Sequence, residues 1–329
     1  MLFTCIDLNH FRSSNKTKMR FGIRQFLSDV PAMIASSHDL YQKYGIKVHT
    51  LVKAQGQEIG SMLLKNEIDL AILGDHWTIE AMSRSSKADP LVIVACIGGG
   101  GQRWRLMASN KSGILKIEDL NNKKLGSWRR SYGHHLLENI FLKNGIRPKI
   151  IKVSMDSNSA VDEFKNQSLD AIFAWEPIPS ILEDQKLAHE IFNLEGHGDG
   201  VPVYIVTRKS IVKNNLIELV AILRALNDAI HLAKENGDEA AKIASSNIHV
   251  PAKILKKALE RHEFKIGLTC RQRESLYDVV RIFREKNMNK LSESIAINFD
   301  DTPLKRLIDL DHNKSQFVLE ENCSTSSGL

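Results

Sequence analysis

The chain has 329 residues, 43% hydrophobic and 26% charged, with a formal net charge of +6. That length suits two domains or one bilobal unit, and the composition is that of an ordinary globular protein. No run approaches the ~18–20 apolar residues of a membrane-spanning helix. The cysteines, Cys5, Cys96, Cys270 and Cys323, form no CxxC pair, so reduced thiols and no metal site are expected. The charge excess leans slightly toward an anionic partner, but a solvated basic surface is the simpler account.

In chain order, residues 1–18 are polar and lack the apolar core of a secretory signal. They are expected to be a disordered leader, with Met19 a candidate start. As written, the chain is expected in the cytoplasm. Arg20–Phe26 reads as a strand. Ser28 and Asp29 can cap the next helix, with Pro31 in its first turn, and Gly45 ends it. Ile46–Val52 alternates as a second strand, and a helix runs to Leu64. Ala71, Ile72 and Leu73 form a buried strand closed by Gly74. Asp75, His76, Trp77 and Thr78 then stand where strand gives way to helix, the place at which open α/β sheets bind ligands. Pro90–Ile97 is another buried strand. It ends in a run of glycines, 98–101, where the backbone can approach a ligand, as at Gly100, or bend as a hinge.

Trp104–Ala108 reads as a strand crossing to a second lobe, and Lys124–Trp128 as a strand within it. Arg129, Arg130, Ser131, Tyr132 and Gly133 lead into a helix over His134–Asn144. Free N–H groups at that helix start, beside a serine and two arginines, form a natural anion seat. A plain N-cap with exposed arginines is the other reading. Lys149–Val153 is a strand, Asp156–Asn166 a helix and Leu169–Trp175 a strand. Val201–Thr207 is taken as the crossing back. The pattern is then helical, over Ser210–Asn236, Glu239–Ser245, Ala252–Phe264 and Arg271–Lys286. Basic residues there fall at solvent-face spacing without aromatic interleaving, so no nucleic-acid surface is expected. Residues 311–329 are expected to be a disordered tail.

Two stretches echo each other. Ile68–Met82 and Leu169–Ile178 each run strand, aromatic and acid, then helix, and each follows a helix ending in Lys-Asn. Two such units imply two lobes facing one cleft, the first from 19–100 and 208–310, the second from 106–200. The four tryptophans, Trp77, Trp104, Trp128 and Trp175, all fall near strand ends or the crossing, as the walls of a small-molecule cleft do; one or two of them can also serve the core. Gln25, Asp75 and His76 are expected to meet the ligand from the first lobe. Asp75 and Glu176 are expected to accept hydrogen bonds from ligand or opposite lobe. No Gly-x-Ser-x-Gly elbow occurs, and the serines near strand ends show no base beside them. No catalytic residue, cofactor or hydrolytic or redox chemistry is therefore expected.

The order Asp29-Val-Pro-Ala, Ala54-Gln55-Gly56, Ile68–Asp75, Ile117–Gly126, Ser131-Tyr132-Gly133, Leu169-Asp170-Ala171 and Trp175-Glu176-Pro177 resembles the solute-binding proteins for nitrate, sulfonate and taurine. The resemblance covers roughly residues 19–310. It implies a type II periplasmic-binding-protein fold, with two α/β lobes around a ligand cleft joined by two crossing strands. It also implies a monomer that clamps a small anionic solute for an ABC-transporter permease, outside the cytoplasm. The thiamine-pyrimidine synthases share this fold, and an enzyme of that type would demand a lysine–histidine set for pyridoxal phosphate and a cysteine-rich iron motif. A ligand-sensing regulator on the same fold would need an N-terminal winged helix of ~60 residues to dock on DNA.

Overall fold

The computed structural model describes residues 18–129, 131–153, 157–197, 201–285, 295–311, 313–321 and 323. The expected leader up to residue 17, Arg130 and the last six residues lie outside that set. Among the described residues the strands are β1 (Lys18–Arg24), β2 (Lys47–Lys53), β3 (Leu70–Gly74), β4 (Leu91–Gly99), β5 (Trp104–Ser109), β6 (Lys124–Ser127), β7 (Lys149–Lys152), β8 (Ala171–Trp175), β9 (Ala188–Asn193), β10 (Val203–Arg208), β11 (Glu263–Leu268) and β12 (Val318–Leu319). They build two sheets, in the orders β12-β11-β4-β10-β3-β1-β2 and β7-β6-β8-β5-β9. β1 pairs in parallel with β2 and β3, and β6 with β7 and β8. β4 and β10 are buried along their whole length, as strands covered on both faces must be. No helix among the described residues is long and apolar enough to cross a membrane.

The chain leaves the first sheet through β4 and enters the second at β5; it returns from β9 into β10. These are the two crossings of a two-lobed α/β fold. The glycine run makes the outgoing crossing thin. A Cβ at Gly98, where φ is +125°, would fall 2.1 Å from the carbonyl oxygen of Glu263, and one at Gly101 would fall 2.0 Å from that of Leu194. Side chains there would push the crossing off both β11 and the returning chain. Gly98 and Gly101 thus serve packing of backbone on backbone, and Gly100, beside Glu263, is not among the residues that line the cavity between the sheets.

Several expectations need correction. The expected helix Ser210–Asn236 is two, Lys209–Asn214 and Leu216–Glu235. The helix expected to reach Phe264 ends at Leu259, because Glu263–Leu268 alternates exposed and buried residues and joins the first sheet as β11. The tail carries structure where disorder was expected. Val318 and Leu319 pair with Gly267 and Leu268, and Phe317 is buried. Cys323 is joined to Cys270 in a disulfide, and the Glu320 carboxylate accepts from the Cys270 N–H at 2.7 Å. Those two cysteines are therefore not free thiols; their separation of 53 residues hid their proximity. Cys96 is buried and outside the disulfide, its Sγ 3.3 Å from the Gly98 carbonyl oxygen.

Candidate ligand-binding site

Between the two sheets lies a cavity of about 320 Å³, within the size range of small-molecule sites. The carboxyl ends of parallel strands wall it, as the winding rule requires. Arg24 and Phe26 come from β1 and its exit, Gly74 and Asp75 from β3, Trp128 from β6, Lys152 and Val153 from β7, and Trp175 and Glu176 from β8. The crossings add Arg103 and Trp104 on the way out and Val201, Pro202 and Val203 on the way back, and His262 stands before β11.

All four tryptophans of the chain line this cavity. Trp104 and Trp175 are cross-strand partners on β5 and β8, with ring centroids 4.9 Å apart. Trp128 lies 5.5 Å from Trp175 and 6.3 Å from Trp77. Two of the rings lie on glycines, because a Cβ at Gly56 would come 2.4 Å from the Trp77 ring and one at Gly133 would come 2.8 Å from that of Trp104. Trp104 also stacks on Phe173 and is only 3% exposed, so it is mainly core with one edge at the cavity.

The charges are distributed unevenly. Arg24 is buried, and its Nε and Nη2 donate to the Asp29 carboxylate at 3.2 and 2.6 Å, with Nη2 also donating to Ser28 Oγ. Ser28 and Asp29 were expected to cap a helix; instead they fill the fork of a buried guanidinium, which otherwise would lack partners. Arg24 Nη1 has no hydrogen-bond partner among the described residues, and a Cβ at Gly74 would lie 3.5 Å from it. Arg103 is buried and has no carboxylate partner among the described residues. Its Nη2 donates to the Val201 carbonyl, and its Nε finds no acceptor. Burial pushes Arg103 down to about 10, Asp75 opposes this, and the charge of Arg24 adds to it. It remains a cation at neutral pH.

Asp75 is 5% exposed. Its Oδ1 accepts from His76 N and its Oδ2 from Tyr132 N, both at 2.7 Å. Tyr132 opens the helix Tyr132–Lys143 on the other side of the cavity. The expected anion seat is thus taken by a carboxylate of the opposite lobe, which is also what was expected of Asp75. Burial pushes the Asp75 carboxyl up, against the two N–H donors. Ser131 lines the cavity and caps the same helix, its Oγ accepting from His134 N at 3.1 Å. Glu176 is fully enclosed. It accepts from Arg105 Nη1 at 3.0 Å and from Ser180 N at 3.2 Å, and burial pushes it up. Arg105 also holds Glu183 and Glu190, so Glu176 is committed to a buried ion cluster.

Of the remaining expected residues, Gln25, His76, Tyr132 and Gly133 do not line the cavity. Neighbouring side chains at a strand end point to opposite faces; Arg24 and Phe26 face the cavity and Gln25 faces away. His76 is buried among Trp77, Trp128 and Phe283 at 4.6, 5.5 and 5.2 Å. Arg129 is exposed and off the cavity, which favours the surface reading for it, and Arg130 lies outside the described residues. Some serines do have a base: Ser28 Oγ donates to Asp29 at 2.9 Å, but that carboxylate is already engaged by Arg24. Ser127 Oγ lies 2.7 Å from His134 Nδ1, and His134 Nε2 lies 3.1 Å from Glu138. Ser127 is fully buried and off the cavity, so no substrate reaches it. Arg24, Arg103 and His262 were not anticipated.

Two lobes wound around a cavity at their strand ends define the periplasmic-binding-protein fold. The chain belongs to the NMT1/THI5-like family, whose profile matches residues 29–240. It is 24% identical over 251 residues to a Bacillus subtilis (strain 168) protein described as binding aliphatic sulfonates, covering 75% of this chain and 74% of that one. Two solved structures share the fold. The alkanesulfonate-binding protein SsuA of Xanthomonas axonopodis pv. citri, bound to MOPS, has a TM-score of 0.71 at 18% identity and covers 86% of this chain and 97% of its own. The periplasmic aliphatic sulphonate binding protein SsuA of Escherichia coli has a TM-score of 0.74 at 17% identity and covers 85% and 96%. Each relative is described as a binding protein and none as an enzyme.

Proposed function

We propose that this chain is a solute-binding protein for a small organic anion of the sulfonate type, which it passes to an ABC-transporter permease. One observation carries the reading: Arg103 is a buried cation with no carboxylate partner among the described residues, at the edge of an aromatic cavity. The charge of a buried guanidinium is costly without a counter-charge, and an anion supplies one. The tryptophan walls suit the apolar body that an organic sulfonate carries. Glu176 does not oppose this, since Arg105 pairs with it; Asp75 accepts from two backbone N–H groups and acts on Arg103 through space without an ion pair between them. The relatives' descriptions point to the same ligand class. The Cys270–Cys323 disulfide supports an oxidising compartment outside the cytoplasm.

Because every tryptophan lines the cavity, tryptophan emission reports on the site. Titration with alkanesulfonates and MOPS is expected to shift that emission saturably. Arg103→Gln is expected to weaken binding roughly ten- to a hundredfold, the loss of one charge-assisted hydrogen bond of about 1.5–3 kcal/mol. An emission and a calorimetric heat that stay flat at millimolar sulfonate would overturn the reading.

A further inference from the structure

His262 stands on the cavity wall beside Arg103, and its two ring nitrogens are in different situations. Nδ1 lies 3.0 Å from the carbonyl oxygen of Ala258. A carbonyl can only accept, so Nδ1 carries the ring proton. The ring is stacked on Phe264 with centroids 5.5 Å apart and planes 18° from parallel, which fixes its orientation. Burial, reinforced by the charge of Arg103, pushes His262 down to about 3, so the ring is neutral. In a neutral ring with Nδ1 protonated, Nε2 is a bare acceptor. It has no hydrogen-bond partner among the described residues, and it is not among the sealed polar atoms.

From this we infer that His262 Nε2 is a specificity determinant, and that the preferred ligand is an organic anion carrying a hydroxyl donor close to its charged end. The inference rests on the anion reading of Arg103. An anionic headgroup held by Arg103 presents only acceptor oxygens, so it cannot satisfy Nε2 and repels its lone pair. The proton that Nε2 accepts has to come from the body of the ligand. An acceptor shut into a cavity with a ligand that offers no donor loses its water without replacement. A site of that kind rejects the analogue lacking the donor far more strongly than a purely apolar wall does.

The probes are 2-hydroxyethanesulfonate and propane-1-sulfonate, which match in charge and size and differ in a hydroxyl against a methyl. Calorimetry on the wild-type protein is expected to show the hydroxylated anion bound roughly five- to tenfold tighter, as one net hydrogen bond gives. His262→Asn keeps a donor toward Ala258 and removes the acceptor; its ratio is expected to fall to near one. His262→Gln places an amide oxygen near the Nε2 position and is expected to keep a preference for the hydroxylated anion. Equal binding of the two sulfonates by the wild type overturns the inference and leaves the anion reading standing, as does an unchanged ratio in His262→Asn. Binding of neither probe by the wild type overturns both together. Should a variant fail to fold, the wild-type ratio alone decides.

Discussion

Among the described residues, Asp75 is the one carboxylate that ties the two sides of the cavity through backbone. Asp75→Ala removes the acceptor of two short bonds, from His76 N and Tyr132 N, each 2.7 Å long. The first lies within its own helix start and survives as a solvated group if the cleft opens. The second caps the helix Tyr132–Lys143 from across the cavity. Losing a carboxylate cap costs about 1–2 kcal/mol in hydrogen bonding and charge–dipole attraction. Burial of the charged carboxyl, the cause of its raised pKa, offsets part of this. We therefore expect about 1 kcal/mol against the touching arrangement, a factor of roughly 5 in the balance between touching and separated lobes. The effect is partial because Tyr132 OH to Asp278 at 3.4 Å and the His76–Trp128 ring contact also bridge the cavity. Small-angle scattering of ligand-free protein is the assay, with Asp75→Asn as the milder change. An increased radius of gyration in Asp75→Ala, smaller in Asp75→Asn, and weaker sulfonate affinity are expected. An identical radius and affinity in both variants refute the idea that this bond holds the lobes together.

Other outcomes follow from the same contacts. Cys323→Ser is expected to lose about 2–4 kcal/mol of stability, read from urea melts, and intact mass should rise by two hydrogens on reduction; two additional reactive thiols in unreduced protein would contradict the bridge. Arg105→Met removes the nearest cation of the enclosed Glu176 and should cost about 3 kcal/mol, with Arg261, 3.8 Å from Glu176 and 3.3 Å from Glu190, limiting the loss; a melt unchanged within error counts against the cluster. Between pH 6.5 and the folded value of about 3, the unfolded chain protonates His262 while the folded protein does not. The stability tied to its neutrality is present above pH 6.5 and is lost as pH falls. From pH 6.5 to 5 that is about 2 kcal/mol, and His262→Gln should flatten the slope; an equal slope in the variant denies the neutral ring.

The strand–loop–helix echo at Asp75 and Trp175 was legible because apolar runs bounded by turn residues mark buried strands regardless of what packs on them. The tryptophan walls were legible for a related reason: a large ring just past a parallel strand has nowhere to go but the crevice. Polar identities were harder. Choosing Gln25 over Arg24 is an error of one residue at a strand end, and one residue flips the face. Asp75 and Tyr132 are 57 residues apart, so nothing local in either stretch says that one caps the other. His262 sits between a lysine-rich helix and β11, and reading that segment as continuous helix removed it from consideration.

The net charge of +6 says little about the ligand, and the placement of charge says more. At the cavity, Asp29 answers Arg24, Arg105 answers Glu176, and two backbone N–H groups answer Asp75. Arg103 is left without a direct carboxylate partner among the described residues, Asp75 acting on it only through space. It is fixed by the crossings and by neither lobe alone, because it leads into β5 on the outgoing chain and donates to Val201 on the returning one. A cation held there touches both crossings. The tryptophans are divided differently, since Trp77 belongs to the first lobe and Trp128 and Trp175 to the second. On the proposed anion reading, the charged anchor would sit on the crossings and the aromatic enclosure would come from both lobes. That division explains why the charged anchor was invisible to a search of strand-to-helix loops: it lies on neither echo unit, and its chemistry is defined by what fails to pair with it.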